Sequence, residues 1–361
     1  MIKIPIYKPF IGKEEKSLVN DCLDTSWISS SGPYVNKFED TIKKYVGCNY
    51  AISTSNGTTA LHLAMMALKI GENDEVITSN YTYVASTNSI LIVGAKPVFV
   101  DINPDTYNID VEKIEKKITS KTKAILVTNV YGSVADYTSI RKLADKYNLK
   151  IIEDAAESLG SKLGNLMSGN LADISTFSFY GNKTITTGEG GMVTTNKKEY
   201  DEIIRKLKNQ GNSATKTYFH DVLGFNYRMT NIQAAIGIAQ MNKIELILEK
   251  KKKVYLFYNN HLSKIASFPK FLKNSISSHW MCPILFNNEK DQKKVVKSLK
   301  RNAIETRPFF TPIDLLPFYE ADLDCKSAKN IYKRGVLLPS FPTLKQKELK
   351  KIVEIIKKSL E

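Results

Sequence analysis

From residue 50 onward, short apolar runs alternate with helical stretches, and this alternation confines the chain to a small set of architectures. "YAIST" leads through "SNGTT" into "ALHLAMMALKIG", where Leu61, Ala64, Met65 and Leu68 share one helical face and Gly71 ends the pattern. The runs "EVITS", "KPVFVD", "KAILVT", "KIIED", "ISTFSF" and "GMVTT" follow, several of them separated by helical stretches such as "YTSIRKLADKYN". Short strands that alternate with helices imply a mostly parallel sheet covered on both faces. The expected fold class is therefore α/β, with these seven runs forming one sheet flanked by helices. In such sheets ligands gather at the carboxyl ends of the strands.

The pattern changes further on. A long helical stretch is expected from Thr230 to about Ile265, after which "HWMCPILF" and "IETRPFF" read as strands, with helices around Asp291–Arg301 and Lys345–Leu360. A chain of 361 residues exceeds one ordinary core of roughly 100–200 residues. The expected organisation is an N-terminal arm and large domain over residues 1–244, then a smaller C-terminal α+β domain over 245–361.

Lysine and arginine number 52 against 37 acidic residues, a net charge of +15. Such a surplus suits nucleic acid, a membrane surface or an anionic small substrate. Much of it lies at Lys250–Lys253 and Lys345–Lys358, where apolar residues recur at helical spacing, so solvated helix faces account for it. With no helix-turn-helix, zinc or RRM signature, nucleic acid is not an expected partner. The four cysteines form no C-x-x-C pair, which argues against a disulfide framework or a metal site and for a reducing compartment. "MIKIPIYKPFIGKEE" lacks a signal-peptide core, and no uncharged apolar run reaches the ~20 residues that span a bilayer. A cytoplasmic protein with no membrane partner is expected.

Asp154 closes "KIIED" and should stand at the carboxyl tip of a buried strand, where a helix-capping or turn aspartate is the ordinary reading. Lys183 lies past the run "ISTFSF", next to the glycine-rich "TTGEGGM". A buried carboxylate and a nearby lysine are what pyridoxal phosphate chemistry requires. "STSNGTTALHL" turns from strand to helix. Backbone N–H groups at Gly57 and Thr58, with hydroxyls of Ser55, Thr58 and Thr59, suit a phosphate there; a capped helix without ligand is the simpler reading. Tyr81 and Tyr83 read as core aromatics, with stacking on a flat ring as the alternative. Ser178 is placed for a second phosphate contact, and "GFNYRMTN" reads as a helix start capped by Thr230 or Asn231.

The order S-N-G-T, E-D-A-A-E-S, S-F-Y-G-N-K-T-I-T-T-G-E-G-G-M and G-F-N-Y-R-M-T-N resembles the DegT/DnrJ/EryC1/StrS sugar-nucleotide aminotransferases, fold-type I pyridoxal phosphate enzymes of aspartate aminotransferase-like fold. The resemblance runs from Trp27–Val35 to Leu337–Pro342. It implies that Lys183 is the Schiff-base lysine and Asp154 the partner of the pyridine nitrogen. It places Glu157 at the ring hydroxyl, Gly57, Thr58 and Ser178 in the phosphate cup, and Tyr83 on the ring face. Asn226 falls on an amide that reaches the phosphate from a second subunit, which implies a homodimer. The implied reaction moves an amino group from L-glutamate, leaving 2-oxoglutarate, to a nucleotide-linked 4-keto-6-deoxy sugar, with GDP-4-keto-6-deoxy-D-mannose the first expectation. Sugar contacts are expected from the loops around Trp27–Tyr34 and Arg307–Thr311.

Many relatives carry an H-x-Y-G segment where this chain has Asn129 in "TNVYGSVAD". UDP- or dTDP-linked sugars, and amination at C3, stay open on that account. Dehydratases on this fold replace the lysine with histidine, so Lys183 argues against that activity. Retention of lysine, aspartate and phosphate cup together argues against an inactive regulator. A carboxylate beside a phenolic oxygen is favourable only when a proton is shared, so Glu157 is expected to carry or share one.

Overall fold

The computed structural model describes residues 3–361. The seven apolar runs form seven strands: β1 Tyr50–Thr54, β2 Glu75–Ser79, β3 Lys96–Val100, β4 Thr122–Thr128, β5 Lys150–Asp154, β6 Ile174–Ser178 and β7 Gly191–Thr195. They join one sheet in the order β1-β7-β6-β5-β4-β2-β3. The pairs from β3 to β6 are parallel, and β7 runs antiparallel to both β1 and β6. No helix crosses between β6 and β7, so the chain turns back on itself and reverses direction. Six strands therefore end on one edge, at Thr54, Ser79, Val100, Thr128, Asp154 and Ser178, and the loop 179–190 lies across that edge.

Side-chain alternation sorts the core by sheet face. Ile52, Val76, Leu126, Ile152, Ile174 and Val193 pack with the helix Gly57–Ala67. On the other face, Ile77, Ile125, Val127 and Ile151 pack with the helix Tyr137–Tyr147, while Ala51, Phe177 and Met192 pack with the helices Pro33–Val46 and Asn231–Met241. A separate cluster joins Val254, Tyr258, Cys282, Ile284, Leu299, Val336 and Ile352 in the C-terminal part. There an antiparallel sheet orders Cys282–Leu285, Gly335–Leu338 and Arg307–Pro308 beside the helices Glu289–Arg301 and Gln346–Leu360. Ile4 of the arm belongs to this cluster too. All four cysteines are free and buried, and among the described residues no helix is long and apolar enough to cross a membrane.

The stretch expected as one helix from Thr230 to about Ile265 is two, Asn231–Met241 and Ile244–Leu262. The Thr230 hydroxyl caps the first by accepting from the Gln233 N–H. At the break Lys243 leaves helical geometry, with φ −122° and ψ 18°. Its ammonium pairs with Glu15, and Asn242 Nδ2 donates to Glu14 Oε1, so the helix Lys13–Asp24 holds the break. Nothing between Met241 and Ile244 is a glycine or proline, so Asn242, the C-cap, is the one local stop signal. The second helix serves both cores: Ile244 and Ile247 pack toward the large sheet, Val254 and Tyr258 toward the C-terminal cluster.

Buried Glu39, on the helix Pro33–Val46, fixes β1 from below. Its Oε1 accepts from Ser53 N at 2.8 Å and from Ser53 Oγ at 2.7 Å, and its carboxylate pairs with Arg205 and the buried Lys208. Desolvation works to raise its pKa, but attraction from Lys208 and Arg205 together with the two Ser53 hydrogen bonds holds it below the usual carboxylate value. Removing one partner of a buried pair strands the other, at a cost of about 3–5 kcal/mol. Glu39→Ala is expected to lower unfolding free energy by about 3 kcal/mol in urea titration; a loss under about 1 kcal/mol contradicts this assignment.

Candidate active site

The edge where six strands end gathers most of the residues singled out in the sequence. Asp154, at the tip of β5, is buried and accepts from Ser86 Oγ at 2.6 Å and from Ala156 N at 3.1 Å. Burial raises its pKa, against the pull of these donors and of Lys183. Glu157 follows in the next turn, is buried, and accepts the Tyr131 N–H at 2.7 Å. Burial pushes its carboxyl up to about 7, the pull of Lys183 notwithstanding. Such a group carries a proton through much of the acidic and neutral range, in line with the expectation for it. Tyr131 supplies that N–H from a left-handed backbone, φ 55°.

Lys183 lies in the loop between β6 and β7. Burial lowers its pKa, opposed by Glu157 and Asp154, so the structure brings these three ionisable groups together. Its ammonium nitrogen stands 4.2 Å from the centroid of the Trp280 ring. On either side, Asn182 Oδ1 and Thr184 Oγ1 are buried without a hydrogen-bond partner among the described residues.

The turn after β1 is a capped helix start. Asn56 Oδ1 accepts from Thr59 N, and the hydroxyls of Ser55 and Thr59 face each other at 3.2 Å. Those two hydroxyls are thus engaged locally, while no hydrogen bond within the described residues takes the backbone N–H of Gly57 or Thr58. The turn packs against β6 and β7 so closely that side chains are excluded. A Cβ on Gly57 would lie 2.8 Å from Ser178 Cβ, and one on Gly191 2.3 Å from the Asn56 carbonyl oxygen. Two free N–H groups at a helix N-terminus, with Ser178 alongside, fit a phosphate.

The two tyrosines separate. Tyr81 is fully buried and meets the Tyr131 hydroxyl at 2.8 Å. Tyr83 is 57% exposed, with its ring 6.2 Å from that of Phe310. It is the free aromatic face on the side of Asp154, since Ser86 lies one turn along the same helix. Asn226 stays apart: it is exposed, and its Oδ1 accepts from Arg228 Nε. Asn129, at the end of β4, is fully buried. It donates to Glu153 Oε1 at 2.8 Å and accepts the Ala135 N–H, which makes it part of the frame.

Ser86, Tyr131, Trp280 and Tyr7 complete the site without having been singled out. Tyr7 donates from the arm to the Lys183 carbonyl at 2.5 Å, and Trp280 Nε1 donates to the Asn182 carbonyl at 2.7 Å. Ser86 had a local signal, three residues past Tyr83 in "NYTYVAST", and Tyr131 is the tyrosine of the "TNVYGSVAD" segment; Tyr7 and Trp280 had none.

A desolvated lysine between two carboxyl groups, on this sheet topology and beside an open helix N-terminus, defines a pyridoxal phosphate-dependent aminotransferase of fold type I. The chain belongs to the DegT/DnrJ/EryC1/StrS aminotransferase family, whose model matches residues 9–357. It is 44% identical over 354 residues to the GDP-perosamine synthase of Escherichia coli O157:H7, covering 98% of this chain and 97% of that one. It is 41% identical to the GDP-perosamine synthase of Vibrio cholerae, with 98% of each chain covered. Among solved structures, the putative sugar aminotransferase Spr1654 from Streptococcus pneumoniae in its PMP form superposes with a TM-score of 0.94 at 26% identity, over 99% of this chain and 98% of that one.

The carboxyl of Glu157 supplies a stability test. Its pKa is raised from 4.5 unfolded to about 7 folded, so the stabilising proton is present below the unfolded value and lost as pH rises through the folded one. Relative to Glu157→Gln, the wild-type chain is expected to lose about 3 kcal/mol as pH rises from about 4.5 to about 7. Urea titrations of both chains across that range check this. A difference between them that does not change with pH overturns it.

Proposed function

We propose that the chain aminates C4 of GDP-4-keto-6-deoxy-D-mannose with L-glutamate as donor, giving GDP-perosamine and 2-oxoglutarate for a surface polysaccharide such as O-antigen or capsule. Family membership and the likeness to proteins named GDP-perosamine synthase support the substrate. The lowered pKa of Lys183, set between Asp154 and Glu157, is the observation that carries the chemistry.

Pyridoxal phosphate, when bound, supplies a cationic ring that takes up the electron pair left when a carbon-bound proton is removed. In this reading Gly57 and Thr58 give backbone N–H groups to its phosphate, and Ser178 gives a hydroxyl. Tyr83 stacks on its face. Asp154, held by Ser86 and Ala156, keeps a proton on the ring nitrogen, and Glu157 shares one with the ring hydroxyl. Lys183 would hold the group covalently through its Nζ. Desolvation favours the neutral amine, so the side chain can attack a carbonyl and afterwards carry a proton between carbon atoms. Glutamate gives up its amino group and leaves as 2-oxoglutarate before the keto sugar takes that group, a two-stage exchange. Asn226 reaches the phosphate from a second subunit of a homodimer. We divide the chain into a large cofactor-binding domain at 1–244 and a small domain at 245–361.

Borohydride reduction of the holoenzyme is expected to leave a pyridoxyl adduct on the peptide containing Lys183; its absence after saturation with cofactor overturns the site. Mass spectrometry after incubation with glutamate and a panel of keto sugar nucleotides decides the substrate. The GDP-linked 4-keto sugar is expected to react at least about tenfold faster than UDP-linked, dTDP-linked or 3-keto sugars, a discrimination of about 1.4 kcal/mol. Glu157→Gln, which replaces the carboxyl O–H donor by an amide N–H donor, is expected to keep the visible absorbance and activity within about threefold, and a collapse of both contradicts the proton assignment.

A further inference from the structure

The lysine loop is tied down from outside the large sheet. Two hydrogen bonds land on consecutive carbonyls: Trp280 Nε1 on Asn182 and the Tyr7 hydroxyl on Lys183. Trp280 belongs to the run leading into the strand Cys282–Leu285, and Tyr7 to the arm. The neighbouring side chains take no part in this hold, because Asn182 Oδ1 and Thr184 Oγ1 are unpartnered among the described residues. The same indole that grips the backbone also faces the side chain, with its ring centroid 4.2 Å from Lys183 Nζ. Its own position is fixed. Trp280 is 4% exposed and lies near-parallel to Tyr131, at 23° and 6.4 Å, and Tyr131 in turn donates to Glu157.

A lysine that serves first as a covalent link and then as a proton carrier needs a fixed backbone and a movable amine. A hydrogen-bonded anchor for the amine would be directional and would have to be broken at each turnover. A ring face attracts the ammonium through its quadrupole without fixing one direction. We propose that Trp280 is a positioning residue for Lys183: its N–H holds the loop at the Asn182 carbonyl, and its ring face is the resting place of the freed amine. The proposal rests on Lys183 being the reacting amine. The ring favours the charged amine and so opposes the desolvation that favours the neutral one. The other charged groups facing the amine are Asp154 and Glu157, which replacement of the indole leaves in place.

The test separates the two roles. In the full chain freed of cofactor, acetylation of Lys183 is followed against pH by mass spectrometry of its peptide. Trp280→Leu removes the ring and is expected to move the reactivity midpoint down by about half to one pH unit. Trp280→Phe keeps a ring face and is expected to stay within about 0.2 unit of wild type. In the holoenzyme, Trp280→Phe lacks the N–H and is expected to lose about tenfold in kcat with KM for glutamate within about twofold. A midpoint that stays put or rises in Trp280→Leu overturns the resting-place role. An unchanged kcat in Trp280→Phe overturns the clamp, and this arm decides alone should Trp280→Leu not fold. A wrong sugar assignment leaves the acetylation midpoints untouched, whereas a missing pyridoxyl adduct on Lys183 is a separate failure, of the function itself.

Discussion

Three ionisable groups, Asp154 and Glu157 buried and Lys183 half-buried, crowd one recess at the sheet edge, and the site depends on how desolvation is divided among them. Desolvation disfavours charge on each, so it lowers the pKa of Lys183 and raises those of Asp154 and Glu157. Their mutual attraction works the other way. The outcome is a poised set, in which small changes in hydrogen bonding decide where a proton sits. The seven-stranded sheet builds this space at its edge. The reversal of β7 keeps the loop 179–190 over the strand ends, and Gly57 and Gly191 let that turn, β6 and β7 approach to backbone contact. Placing three such groups around a solvated surface loop would leave their pKa values near the ordinary ones.

Much of this was legible in the sequence, because the large sheet is built from elements that declare themselves locally. All seven apolar runs became strands, and each of Asp154, Ser178 and the Gly57 turn sits at a strand end because the runs were bounded correctly. The division of Tyr81 from Tyr83 was not legible. Both lie in one short segment, and only the packing of Phe309 and Tyr131 against Tyr81 decides which ring is covered. The break at Asn242–Lys243 escaped for a similar reason. The helix Lys13–Asp24, far off in sequence, supplies the carboxylates that hold it.

Contacts made across long sequence distances stayed silent altogether. Tyr7 reaches Lys183 and Trp280 reaches Asn182 because the arm and the C-terminal part fold back over the sheet edge. Neither residue sits in a segment whose spacing points to chemistry. In "HWMCPILF" the tryptophan is one apolar residue in a strand-like run, which is how it reads before its partners are known.

Asn129 and the two acids that close β5 show how satisfaction separates frame from chemistry. Glu153 and Asp154 are neighbours, both buried, both with pKa values raised by burial, and alternation sends them to opposite faces of the sheet. Glu153 accepts from Asn129 Nδ2, the hydroxyls of Ser168 and Ser175, and the N–H groups of Gly169 and Leu171. A carboxylate offers about four lone-pair sites, so this one is saturated. Among the described residues Asp154 accepts only from Ser86 and Ala156, one on each oxygen, and keeps capacity for a further donor such as a protonated ring nitrogen. Asn129 is thereby explained as a strut for Glu153.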